Sequence, residues 1–321
     1  PAGGLARGDI PLLMGYARKG PSGMPVRIHS LGEFEEWFGP PLSHGFLWHS
    51  VKGFFENGGA TAYVMRIAPT AAKAASVVRS NQDMTSANPV LVWKAEASFP
   101  WTMVDPRKRD DRQRADSAIW VQLFEEVIRT FGPRAPDAGS FGNNMMLRVS
   151  RASRARTETF PETSASANIS RLRSLAGLEA SSIIELSQTA ADLNTNSILR
   201  IPFRIDAQRS EIIWKDVLPQ GLFDLSKPIR IASVEFDIAV FSEGQLVQRF
   251  AGLSPNPGHS MNIAGVMSAG CRPLHVTPQI LINGSAADAL LQSAVLASTD
   301  WSDPKNWPPE GDYLLSGGID A

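Results

Sequence analysis

Short apolar runs alternate with amphipathic stretches from the start of the chain. Residues 10–16 form an apolar run ended by Gly20-Pro21, which predicts a buried strand and a turn. Residues 25–29 are expected to pair with that strand. Ser30, with Glu33 three residues on, makes a capping-box pattern for a short helix through Trp37, which Gly39-Pro40-Pro41 stops. In residues 44–56, Phe46, Leu47, Val51, Phe54 and Phe55 fall close to helical spacing before Asn57-Gly58-Gly59. Residues 61–67 alternate Tyr63, Met65 and Ile67 with Val64 and Arg66 and predict a strand. The order strand, strand, helix, helix, strand predicts a small α/β unit.

Residues 89–96 predict another strand. Residues 97–113 are irregular and charged, with Arg107-Lys108-Arg109-Asp110-Asp111-Arg112 at the centre. A long helix is expected over 114–131, because Trp120, Leu123, Phe124, Val127, Ile128 and Phe131 share one face and Gly132-Pro133 follows. Residues 139–149 read as a turn entering a strand, and residues 151–167, rich in Arg, Ser and Thr, as a surface loop. Ser170 is expected to cap a short helix carrying Leu172, Leu175 and Leu178. Residues 182–187 and 198–205 are strand candidates. In residues 229–250, Val234, Phe236, Ile238 and Val240 alternate with Glu235, Asp237 and Ala239. Glu243-Gly244 then offers a tight turn into Leu246, Val247 and Phe250, a β-hairpin pattern. Residues 254–260 read as loop, 274–283 as two short strands, 286–297 as a helix, and Trp301 to Pro309 as irregular.

At 321 residues the chain has length for two or three domains. Hydrophobic residues make up 43% and charged residues 20%, the balance of an ordinary globular protein. The net charge of −1 gives no general basic field for nucleic acid. No apolar run reaches the roughly 18–20 residues of a membrane helix, and the start shows no secretory signal. A single cysteine, Cys271, excludes an intrachain disulfide and a multi-cysteine zinc site and suits a reducing cytoplasm. Both ends read as cut.

The chain carries no phosphate-binding loop, no G-x-G-x-x-G, no G-x-S-x-G and no H-E-x-x-H, which argues against the commonest enzyme classes built on them. His44 and His49 lie five apart, a poor spacing for two metal ligands on one helical face. His259-Ser260 places a hydroxyl beside an imidazole in a Pro/Gly loop, but without an oxyanion motif a plain loop is the expectation. Cys271 neighbours Arg272, a setting that can lower a thiol pKa, but a small, partly buried residue is the expectation. Asp105 to Asp116 interleaves acids with arginines, which favours salt bridges over a metal cluster. Arg148, Arg151, Arg154 and Arg156 could meet a phosphate backbone, but a basic loop in a neutral protein is the simpler expectation. Asn168-Ile169-Ser170 and Asn283-Gly284-Ser285 match the glycosylation pattern by chance. Trp37, Phe38, Phe54 and Phe55 sit at helical spacing and are expected in a core. No catalytic, cofactor-binding or metal-ligating residue is assigned and no cofactor is expected.

Several separated blocks, in order, resemble the tail sheath proteins of contractile phages and bacterial contractile injection systems. They are Gly15-Tyr16-Ala17 with Lys19-Gly20-Pro21, Phe34 with Phe38-Gly39, and Phe54-Phe55-Glu56-Asn57-Gly58-Gly59 through Arg66. Gly139-Ser140-Phe141-Gly142-Asn143, the hairpin from Phe236-Asp237 to Val247-Gln248-Arg249-Phe250-Ala251-Gly252-Leu253-Ser254, and Tyr313-Leu314-Leu315-Ser316-Gly317-Gly318-Ile319-Asp320 continue the series. Residues 97–138 and 151–230 depart from the family pattern, and the family's C-terminal half is absent from this sequence.

The resemblance implies a multi-domain α/β (mixed α+β) sheath-type subunit with sheets flanked by helices and a β-rich inserted domain. The expected divisions are an N-terminal arm remnant (1–9), a core segment (10–96), an inserted or decorating region (97–250) and a return segment (251–321). The implied function is structural: a contractile sleeve around an inner tube, powered by stored conformational energy. Implied partners are other sheath subunits in a helical homo-oligomer, the inner tube protein, and baseplate and cap proteins, without nucleic acid or membrane insertion. Assembly is expected in the cytoplasm, in a phage tail or a tail-like particle that can be released. A stationary sheath-like baseplate or cap adaptor, and an α/β enzyme with an unrecognised site, stay open as alternatives.

Overall fold

The computed structural model describes residues 10–23, 25–69, 71–84, 88–97, 139–161, 168–189, 195–219, 221–268 and 274–320. The expected helix over 114–131, the Asp105 to Asp116 stretch and Cys271 lie outside them. Among the described residues the chain is mixed α and β, mostly strand with few helices. Among the described residues no helix is long and apolar enough to cross a membrane.

The first unit contains β1 (Leu12–Gly15), β2 (Pro25–Ile28), α1 (Leu31–Phe38), α2 (Leu47–Glu56) and β3 (Ala62–Arg66). Its sheet order is β1-β3-β2. The expected pairing of residues 25–29 with 10–16 is therefore corrected: β3 lies between them, parallel to β1 and antiparallel to β2. The reason is burial. β3 is buried along its whole length, and a strand with both faces covered belongs in the centre.

Ser30 caps α1, its Oγ accepting the Glu33 N–H at 3.1 Å. The Glu33 carboxylate accepts the His29 N–H at 2.8 Å, one residue earlier than a capping box would have it. Gly39 ends the helix at φ 81°, donating its N–H to the Glu35 carbonyl. Phe34 and Phe38 are buried with Val26, Ile28, Leu47, Val51, Ala62 and Val64 in the unit's own core.

Two further bodies are interleaved along the chain. β4 (Ser76–Arg79), β5 (Val90–Glu96) and β6 (Met145–Ala152) open a central one. A lateral body follows: β7 (Arg156–Glu158), β8 (Ile169–Arg171), β9 (Ile184–Thr189), β10 (Thr195–Arg200), β11 (Arg204–Asp206), β12 (Glu211–Ile213) and β13 (Arg230–Ser233). β14 (Glu235–Ser242), β15 (Gln245–Leu253), α3 (Ile263–Ser268), β16 (His275–Ile282), β17 (Ser285–Ala286), α4 (Ala289–Ser298) and β18 (Gly311–Leu314) complete the central body.

Its two sheets, β15-β14-β6-β18 and β17-β16-β5-β4, share one core that includes Leu91, Trp93, Leu147, Val149, Phe236, Ile238, Val276 and Ile280. The expected division at 250/251 falls inside β15. The strands of 145–152 and 235–253 share this core with β5 and β16. The lateral body has a separate core around Leu172, Ile184, Leu186, Ile212, Trp214 and Ile231.

Three local expectations are corrected. Residues 151–167 are not one loop: β6 runs to Ala152, and β7 pairs with β13. Ser170 caps no helix; it lies in β8, where its Oγ accepts the buried Trp214 indole N–H at 2.9 Å. Residues 275–282 form one strand, in unbroken register with β5 through Pro278. Pro278 is accommodated because, among the described residues, β17 pairs only with Leu281 and Ile282 and no strand pairs with that edge at the proline.

Candidate functional site

Burial and hydrogen bonding single out a seam between the first unit and the central body. Arg66, at the end of β3, is 3% exposed. Its Nε donates to the Ala17 carbonyl at 3.0 Å and its Nη1 to the Gly20 carbonyl at 3.2 Å. The Arg66 carbonyl in turn accepts the Gly23 N–H. One guanidinium thus fixes the 17–23 loop, using the planar fork that suits arginine to several acceptors. The same loop is held from α1: Lys19 donates its N–H to the Phe38 carbonyl. At Gly20, with φ +98°, a Cβ would stand 2.6 Å from the Trp37 carbonyl oxygen and 2.8 Å from the Phe38 ring. The Lys19 pKa is pushed down by burial, opposed by the Glu36 carboxylate.

On the other side of the seam, Gly139 lies against Arg66: a Cβ there would be 2.9 Å from Arg66 Nη2 and 3.1 Å from Asp320 Oδ1. Ser140 donates its N–H to Asp320 Oδ1 at 2.8 Å and its hydroxyl to Oδ2. Asn143 and Gly318 bond reciprocally at 2.9 and 2.8 Å. Gly142 packs so closely that a Cβ would lie 2.2 Å from Ala97 Cβ and 2.8 Å from Ala75 Cβ. The last described segment runs down this surface. β18 pairs with β6, and Ser316 and Ile319 bridge to Ser76 and Lys73.

A second polar cluster ties the central and lateral bodies. His259 is 7% exposed. The Met261 N–H donates to its Nδ1 at 3.0 Å, so Nε2 carries the hydrogen and faces Glu179 Oε1 at 2.9 Å. Ser260 donates its hydroxyl to the same carboxylate oxygen at 2.7 Å. Asn256 Nδ2 donates to the Ser181 carbonyl at 2.7 Å. Burial pushes the His259 pKa down, opposed by Glu179 and Glu235 and reinforced by Arg154. The arrangement sets the hydroxyl and the imidazole side by side on Glu179. The ring's basic nitrogen is filled by a backbone N–H, so it is not placed to take a proton from Ser260.

Away from these clusters, two cavities of about 20 Å³ lie among the described residues. One lies between the central sheets, lined by Val77, Trp93, Leu147, Val149, Ile238 and Val276 among others. The other lies beside Phe160, Ser170 and Ile229. Each has room for no more than about one water, far below the roughly 300–1,000 Å³ of a small-molecule site.

The remaining candidates disperse. His44 and His49 are exposed; His44 Nδ1 meets Ser43 Oγ, and His49 packs edge-on to Trp48. Among the described residues no three metal-ligating side chains converge. Arg148 bonds Asp312, and Arg151 bonds Glu185 and stacks over Trp307. Arg154 donates its backbone N–H to the buried Glu235. Arg156 is exposed on β7. Asn168 accepts the Trp214 N–H through its carbonyl. Asn283, at φ 50°, and Gly284, at φ 76°, form the turn between β16 and β17. Trp37, Phe54 and Phe55 pack against the core that buries Phe38. In comparisons with known proteins, the sequence matches no family model and no curated protein.

Proposed function

We propose that this chain is the body of a contractile-sheath subunit, a structural part that works by packing against copies of itself around an inner tube. The observation that carries the reading is the seam. The blocks that resemble sheath proteins are Gly15 to Pro21, Phe34 to Gly39, Phe54 to Arg66, Gly139 to Asn143 and Tyr313 to Asp320. They are widely separated in sequence, yet they supply the loop, the helix end, the buried arginine, the close-packed glycines and the returning segment that meet there. A chance likeness in sequence gives no reason for those residues to converge.

In this reading the seam fixes the first unit to the central body, so that force passes through a rigid block. The lateral body, built from residues that depart from the family pattern, is the inserted, decorating domain. Other sheath subunits, an inner tube protein, and baseplate and cap proteins are the partners, and contraction draws on energy stored in the assembled lattice.

The test is co-expression of the full-length gene product with the tube protein encoded beside it, followed by affinity capture of the tube. Retention of many sheath copies per tube through a salt wash supports the reading. A protein that stays monomeric and unbound beside intact tubes contradicts it.

A further inference from the structure

The sheet β15-β14-β6-β18 has one face in the central core and one toward solvent. On the solvent face the register aligns Leu246, Phe241, Met146 and Leu314 in one row across all four strands. The row is most open at its ends, where Leu246 is 56% and Leu314 62% exposed. A bulge puts Leu246 there. Val240 pairs with Gln248 but Phe241 with Leu246, so Val247 is an extra residue. Simple alternation from the buried Phe250 would have turned Leu246 toward the core. The next row carries charge: Arg249 on β15, Ala239, Arg148, and Asp312 on β18. Arg148 stacks over Phe241 and bonds Asp312 at 2.7 and 2.8 Å.

Among the described residues no strand pairs with the outer edge of β15 or of β18. Each neighbouring pair in this sheet is antiparallel, so after three steps β18 runs opposite to β15. β18 of one copy laid beside β15 of another therefore continues the sheet antiparallel. With Leu314 set beside Leu246, the apolar row passes from copy to copy without a break. Asp312, bonded to Arg148, then comes beside Gln248 and Arg249, which is bonded to Asp237 at 2.7 Å, so two ion pairs adjoin across the join. Exposed apolar edge strands are templates for such pairing, and joining two different edges gives an open, propagating assembly instead of a closed dimer.

We infer that β15 and β18 are the two halves of a head-to-tail contact between copies of this chain, with Leu246 and Leu314 at its centre. This rests on the reading of the chain as a self-assembling sheath subunit and names the surface it uses. The test places cysteines by Leu246→Cys and Leu314→Cys, with Cys271→Ser leaving no other thiol. Within one copy the two positions are three strand spacings apart, about 14 Å, beyond the roughly 7 Å Cα separation a disulfide spans. Any bond is therefore between copies.

Under mild oxidation the double variant should give a reducible ladder of dimers, trimers and higher species, and each single variant none. Dimers from a single variant would overturn the contact, because a head-to-tail join does not bring a residue against itself. Polymers seen by sedimentation without a ladder would overturn this contact and leave the sheath reading standing. With an inner-tube protein present, monomers in both assays would overturn the sheath reading itself. Independently, Leu246→Lys should raise the concentration for half-assembly about tenfold, and adding Leu314→Glu should reverse the loss. An unchanged assembly curve for Leu246→Lys would overturn the contact.

Discussion

Gly142 is the sharpest test of the close packing on the central-body side of the seam. Its φ is unexceptional, so the site excludes a side chain by space alone. In Gly142→Ala the new methyl would stand 2.2 Å from Ala97 Cβ and 2.8 Å from Ala75 Cβ. Neither alanine can rotate away, since its methyl is fixed to the backbone, so three backbone segments must separate. Overpacking of this kind costs about 1–3 kcal/mol, and the contact distance puts this case at the upper end. The lost flexibility of the unfolded chain returns about 0.5–1 kcal/mol. The net loss is about 2 kcal/mol, a drop in Tm of roughly 4–8 °C at about 2–4 °C per kcal/mol. Ala97→Gly removes the closest methyl. Alone it should cost about 1–2 kcal/mol, from one methyl of burial and the added glycine. Combined with Gly142→Ala it should cost less than the sum of the two singles by at least about 1 kcal/mol. Calorimetry or urea unfolding of the four proteins reads this coupling. Additive losses would refute the packing argument. Gly53→Ala, in α2 with open space at its Cβ, is the control and should be neutral or stabilising by up to about 1 kcal/mol.

Arg66→Lys retains the charge but not the fork that reaches both the Ala17 and Gly20 carbonyls. It should cost about 1.5–3 kcal/mol in urea unfolding; a neutral result would remove Arg66 from the seam. Ser170→Ala strands the Trp214 indole N–H in the lateral core and should cost about 1–3 kcal/mol, read as a lower unfolding midpoint with a shifted Trp emission. Burial holds the His259 pKa below its ordinary 6.5, so as pH falls through 6.5 the unfolded chain takes up the proton before the folded one does. Stability from this site is full above pH 6.5 and is lost as pH falls from there toward the folded value. His259→Gln should flatten that part of the stability–pH curve; parallel curves for the two proteins would contradict the assignment.

Local chemistry made part of this fold legible. α1 is readable from Ser30, Glu33, Phe34 and Gly39 because capping and helical spacing are decided within one or two turns. The hairpin is readable from the alternation through Val240 and from Glu243-Gly244, whose φ values of 51° and 79° make the turn that matches strand twist. The same logic offered Asn283-Gly284 as the turn between β16 and β17, a signal the glycosylation pattern obscured. Ser170 misled because Leu172, Leu175 and Leu178 repeat every three residues, as on a helix. In the fold Leu172 bridges to Thr159, while Leu175 and Leu178 reach the lateral core from a turn. β4, β12 and β18 are three or four residues long and take their conformation from distant partners, so no local pattern announces them. The seam was present in the sequence only as scattered glycines and one arginine. Their closeness depends on contacts such as Ser140 to Asp320, 180 residues apart.

The proposed sheath role is tested by negative-stain electron microscopy of the protein expressed with and without a candidate inner-tube protein. A sheath subunit should form hollow, striated cylinders, with lengths that differ between the two preparations. Uniform monomeric particles in both, beside well-formed tubes, would contradict it.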